Sequence, residues 1–102
     1  MEELLDRVRA LLPISEERRM FGGVGFMVDG SLVCSVSRRG LLVRVDRAEQ
    51  DELVRHKGVT PMVMGERRSR TWVSVTHEAL ADDAALETWV ERGAVAARAA
   101  GA

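Results

Sequence analysis

Met20-Phe21-Gly22-Gly23-Val24-Gly25-Phe26-Met27-Val28-Asp29-Gly30 sets three glycines between the two phenylalanines of the chain and closes on an Asp-Gly pair. Such a run either cradles a phosphate or lets a strand bend where another backbone lies close. A phosphate-binding P-loop needs a lysine followed by Ser or Thr at the mouth of a helix, and a dinucleotide fingerprint needs a helix directly after its glycines. Here Val24, Phe26 and Val28 alternate with Gly25 and Met27, which is the period of a strand, and no lysine follows. The stretch therefore reads as a bent or bulged strand. Asp29-Gly30 suits a tight hairpin turn whose two central residues need positive φ.

Working outward, Leu32, Cys34 and Val36 are expected on one face of the returning strand, with Val33, Ser35 and Ser37 on the other. Ser37-Arg38-Arg39-Gly40 makes a second turn, and Leu41, Val43 and Val45 alternate with Leu42 and Arg44 in a third strand. Before this meander, Leu4, Leu5, Val8, Leu11 and Leu12 recur at helical spacing, and Pro13 stops that helix. After it, Asp46 with Glu49 reads as a capping box for a helix over Arg47 to Lys57, ended by Gly58. Pro61 to Gly65 and Thr71 to Val75 are strand candidates, with Glu66 to Arg70 as a polar loop between them. A final helix starts at Asp82 or Asp83, carries Leu86, Trp89, Val90, Gly93, Ala94 and Ala97 on one stripe, and frays from Ala99 to Ala102. Gly93 marks a close contact inside it. The predicted order is α-β-β-β-α-β-β-α: an α+β fold of two layers with a five-stranded antiparallel sheet.

The 102 residues suit one domain, spanning 1–102, with a core but little spare stability. With 46% hydrophobic and 30% charged residues the composition is that of a soluble globular chain. No apolar run is long enough to cross a bilayer, and Met1-Glu2-Glu3-Leu4 lacks the basic and apolar regions of a signal peptide. The single cysteine cannot form an intrachain disulfide, and a cytoplasmic location is expected. A net charge of −1 supplies no global field toward nucleic acid.

Chemical candidates are few. Cys34 falls mid-strand among apolar residues and reads as a small buried hydrophobe rather than a nucleophile served by His56 or His77. His77-Glu78 with Asp82-Asp83 offers metal-ligand types, but the aspartates are better explained as helix caps. No cofactor or metal is expected. Arg38 and Arg39 in one turn, Arg67, Arg68 and Arg70 in another loop, and Arg18 and Arg19 ahead of the first strand would form a basic patch if the loops share one end of the sheet. No aromatic platform accompanies them. Phe26, Trp72 and Trp89 fit core positions, whereas Phe21, Met27, Met62 and Met64 need not all be internal. An exposed sheet face or edge carrying them would be a dimer surface.

The runs "RRMFGGVGFMVDGSLVCSVSRRGLLVRV", "PMVMGER", "WVSV" and "DDAALETWVERG" resemble the N-terminal domain of TfoX, also called Sxy, over about residues 18 to 98. Met20, Phe21, Gly22, Gly23 and Gly25 carry the most specific part of the likeness; Pro61, Met62 and Leu86-x-x-Trp89-Val90 support it in order. The resemblance implies a fold like that of type III secretion chaperones and a regulatory, protein-binding role without catalytic residues. It also implies a link to competence, where TfoX proteins act with the cyclic-AMP receptor protein. Competence regulators carry a second domain related to helix-hairpin-helix modules, and this sequence ends at Ala102 without one. The expectation is a stand-alone, non-enzymatic module that forms a homodimer. A DNA-associated regulator using the loop arginines is the alternative, and a small-ligand protein or enzyme built on Cys34 is the third reading.

Overall fold

A computed structural model describes residues 1–20 and 22–101; Phe21 and Ala102 lie outside it. The chain runs α1 (Glu2–Leu11), β1 (Glu16–Met20), β2 (Gly23–Val28), β3 (Ser31–Ser37), β4 (Gly40–Arg44), α2 (Gln50–Leu53), β5 (Val59–Met64), β6 (Arg67–Thr76) and α3 (Asp83–Gly101), with a single 3-10 turn at Glu78–Leu80. The strands form one antiparallel sheet ordered β1-β2-β3-β4-β6-β5. The α+β architecture is as the sequence indicates, but the sheet has six strands, not five.

The additional strand is β1. Its Glu16, Glu17, Arg18 and Arg19 are all exposed, so no apolar alternation announces it. Backbone pairing with β2 and its place at the edge of the sheet allow that composition, because charged side chains on an edge oppose further strand addition. Arg18 and Arg19 therefore lie within a strand rather than ahead of one. Arg9 of α1 grips Glu17 with two hydrogen bonds, Nε to Oε2 at 2.7 Å and Nη2 to Oε1 at 2.9 Å.

Asp29 and Gly30 turn the β2–β3 hairpin with φ of 51° and 81°, the pair of positive values its tight turn needs. Gly23 has no room for a side chain: a Cβ there would stand 2.0 Å from the Val36 carbonyl oxygen. Between Phe26 and Met27 the register slips, so that Phe26 faces Cys34 while Met27 faces Leu32. Val33 is the extra residue, and the alternation of β3 changes phase there. Leu32 thus separates from Cys34 and Val36, contrary to the simple alternation, and Val33 is fully buried.

All three helices lie on one side of the sheet. Phe26, Val33, Cys34, Val36, Leu41, Val43, Val73 and Val75 meet Leu4, Leu5, Val8, Leu53, Leu80, Leu86, Val90 and Ala97 in a single core. Gly93 lets α3 approach closely, since a Cβ there would lie 2.8 Å from the Val33 carbonyl oxygen and 3.2 Å from Val43 Cγ1. Asp82 caps α3 by accepting from the Ala84 N–H at 3.3 Å. The helix continues to Gly101, so the residues from Ala99 to Gly101 are helical rather than frayed.

The middle helix is much shorter than the expected Arg47–Lys57. Asp46 accepts from the Ala48 N–H at 2.8 Å and closes a turn with Glu49, which delays the helix to Gln50–Leu53. Leu53 is buried and Ala48 is exposed. Gly58 takes φ of 84° at the end of the segment, the left-handed conformation expected of it. β6 extends from Arg67, so the polar loop shrinks to the Gly65-Glu66 turn. Opposite Met62 the register of β5 and β6 slips by several residues, from Pro61 facing Val73 to Val63 facing Arg68. Gln50 is buried beside this irregularity and donates from Nε2 to the carbonyls of Ser69 and Trp72.

Candidate functional site: the uncovered face of the sheet

Because every helix sits on one side, the other face of the sheet has no helical cover. It carries the residues that alternate with the core: Leu32, Ser35, Leu42, Arg44, Met62 and Trp72, which line a groove of about 740 Å³. That volume lies in the range of ligand-binding clefts. The tip of the β5–β6 hairpin leans over this face, so Met64, Arg67, Arg68 and Ser69 form a wall of the same groove. A second groove of about 630 Å³ adjoins it, sharing Leu42, Met62 and Met64 and reaching Arg38, Arg39, Thr60 and Pro61.

Arg44 stands at the floor. Its Nε donates to the Leu32 carbonyl at 2.8 Å, and its guanidinium lies 4.8 Å from the centre of the Trp72 ring. Burial pushes its pKa below the ordinary arginine value. Stacking and the Leu32 bond fix the orientation of the guanidinium, while its terminal amines have no carboxylate within 4 Å among the described residues. In the sequence Arg44 stands out only as a polar residue between Val43 and Val45. The signal was available: period two places it with Leu42, opposite Leu41 and Val43. Trp72, expected in the core, is half-buried on this open face because it pairs with Arg44.

The loop arginines do not share one end of the sheet. Gly40 pairs with Thr76 and Arg44 with Trp72, so the Arg38-Arg39 turn lies at one end of β6 and the start of β6, with Arg67 and Arg68, at the other. They nevertheless line the two adjoining grooves of one face. Arg70 lines neither. Arg68 also lies 3.6 Å from Asp51, an exposed pair worth little.

The glycine-rich stretch serves this face from beneath. A Cβ at Gly25 would strike Met20 Sδ at 2.7 Å and Leu32 Cδ1 at 2.8 Å, so the glycine lets both side chains lie across the strand. Gly22 takes φ of 72° between β1 and β2. Pro61 and Met62 border the second groove, Pro61 on an edge strand where the missing N–H is tolerated. Trp89 belongs to the helical side, where Arg92 stacks 5.2 Å from its ring centre.

Cys34 is fully buried in the core, and burial pushes its thiol up to about 12. It therefore stays protonated at neutral pH. His56 and His77 are exposed, and His77 donates from Nε2 to the Arg38 carbonyl at 2.8 Å. Among the described residues no three His, Cys, Asp or Glu side chains gather as metal ligands. No helix of the described residues is long and apolar enough to cross a membrane.

The architecture is that of an α+β domain with one helix-covered and one uncovered sheet face. The model of the TfoX N-terminal domain matches residues 6–97, and the chain belongs to that family. No curated protein and no solved structure matches it.

Proposed function

We propose that this chain is a non-enzymatic regulatory module of the cytoplasm that acts by binding another protein through the uncovered face of its sheet. The observation that carries the proposal is the apolar floor of Leu32, Leu42, Met62 and Trp72, left without a helix on a domain whose three helices all pack against the other face. The family makes transcription or competence control the process to which it would contribute, and the secretion-chaperone likeness implied by the resemblance accords with protein binding. Affinity capture with the wild-type chain, a Leu42→Glu variant and a helix-side Glu87→Lys variant tests it. A partner retained by Glu87→Lys and lost by Leu42→Glu is expected; partners indifferent to Leu42→Glu would refute the assignment of the face.

A homodimer remains part of the proposal, placed along the β5 edge, where Val63 and Met64 are exposed. Sedimentation at micromolar concentration decides it, a strictly monomeric species ending that part. A second reading, DNA contact, draws support from Arg38, Arg39, Arg67 and Arg68 lining grooves on one face. It requires duplex retardation that weakens steeply with salt, and is removed by absence of retardation at low salt.

A further inference from the structure

We propose that the uncovered face takes an extended acidic peptide segment of a partner, with aliphatic residues between its carboxylates and one carboxylate seated on Arg44. The proposal rests on the reading of this face as a protein-binding surface and adds the chemistry of what binds.

Charge segregation is the first argument. The chain carries a net charge of −1, yet among the described residues the two adjoining grooves are lined by Arg38, Arg39, Arg44, Arg67 and Arg68 and by no Asp or Glu. Only Arg68 of these five has a carboxylate within 4 Å among the described residues. Two copies pressed together by this face would set arginines against arginines, because a twofold interface pairs a patch with itself. An anionic occupant is complementary.

The geometry of Arg44 selects the kind of anion. Its guanidinium is half-buried at the groove floor and already oriented by Trp72 and the Leu32 carbonyl. A planar fork held in place matches a carboxylate with two parallel hydrogen bonds. A narrow Glu or Asp side chain reaches such a floor, whereas duplex phosphates lie on a stiff, broad rod. Single-stranded nucleic acid would need exposed aromatic faces for its bases, and the Trp72 ring is stacked by Arg44.

The length follows from β4. Gly40, beside the Arg38-Arg39 turn, and Arg44 are four residues apart, about 13 Å at the rise of a strand. An extended segment crossing both grooves thus places carboxylates four or five positions apart, with aliphatic side chains between them over Leu42 and Met62. A small monoanion would occupy only one end.

Fluorescence anisotropy with the labelled peptide Glu-Glu-Leu-Val-Leu-Glu-Glu, its all-Gln counterpart and a mixed-sequence DNA duplex tests the idea. The acidic peptide is expected to bind, and the Gln peptide and Arg44→Gln each to weaken binding about tenfold or more, the scale of a lost charge-assisted pair. Arg44→Lys should restore it in part, and Arg70→Gln should leave it unchanged. Arg38→Gln with Arg39→Gln lies in an exposed turn and provides a loss of binding that unfolding cannot explain. Equal binding of the Gln peptide, indifference to Arg44→Gln, or tighter binding of the duplex would overturn the proposal. If the acidic peptide fails while a partner is still captured in a Leu42-dependent way, the peptide chemistry is wrong and the protein-binding face stands. If both fail, both readings fall.

Discussion

Leu41 and Leu42 are neighbours in β4 with the same side chain and opposite surroundings. Leu41 is 1% exposed beneath the helices, and Leu42 is half-buried at the junction of two grooves. The same contrast runs through β3, where Cys34 enters the core and Ser35 faces the groove, and through β6, where Val73 is covered and Trp72 is not. One face is filled by aliphatic side chains from strands and helices. The other mixes aliphatic side chains with arginine, serine and tryptophan. Stability is therefore concentrated on one side of the sheet, and the opposite side is free to be chosen for recognition.

The sharpest way to break that contrast is truncation of the two leucines in parallel. Leu41→Ala should lose about 2–5 kcal/mol in urea unfolding, the cost of a cavity in a closed core. Gln50→Leu comes next, at about 1–3 kcal/mol, because it strands the Ser69 and Trp72 carbonyls that its amide serves. Gln50 Oε1 has no hydrogen-bond partner among the described residues, which limits what the residue gains and keeps the loss below that of Leu41. Gly93→Ala should be destabilising despite a helix-propensity gain of about 1 kcal/mol, since the new Cβ meets the Val33 backbone; a thermal melt that rises would show that α3 can move away from β3 at no cost. Leu42→Ala should cost less than about 1 kcal/mol, as a partly exposed side chain loses little burial. A loss equal to that of Leu41→Ala would erase the distinction between the faces.

A last effect is absent at neutral pH and grows only in alkali. Burial moves the Cys34 thiol from 9.0 to about 12. Between those values the unfolded chain has lost the proton that the folded chain keeps, so stability is unaffected below about pH 9 and falls as pH rises toward 12. Cys34→Ala should flatten that decline in pH-dependent melts. Alkylation of the native thiol at pH 7 would contradict the closed core.

Local signals were legible in the residues. Asp29-Gly30 specified a hairpin by dihedral need, Gly58 a left-handed end, and Leu4 to Leu12 an amphipathic helix. What the sequence concealed depends on contacts between distant segments. β1 is a strand because β2 offers it a backbone edge, not because Glu16 to Arg19 prefer one. A single extra residue at Val33 reverses which face Leu32 joins. The helix expected after Asp46 shortens because that aspartate closes a turn. The arginine cluster was half-visible: Arg38, Arg39, Arg67 and Arg68 reach one face, Arg70 does not, and Arg44 gains meaning only once Trp72 is paired beside it.

The strand order has a kinetic consequence. β1 to β4 form by successive hairpins, and β5 with β6 makes another, so the sheet consists of two locally assembled halves joined by the single β4–β6 seam. Closing that seam requires pairing Arg44 with Trp72 across 28 positions of chain (72 − 44), and this non-local step is expected to be slower than closing the hairpins. The arginine-lined groove straddles this seam. An occupant would clamp the two halves together, and amide hydrogen exchange along β4 and β6 would slow on binding while exchange in β1 and β2 stayed as it was.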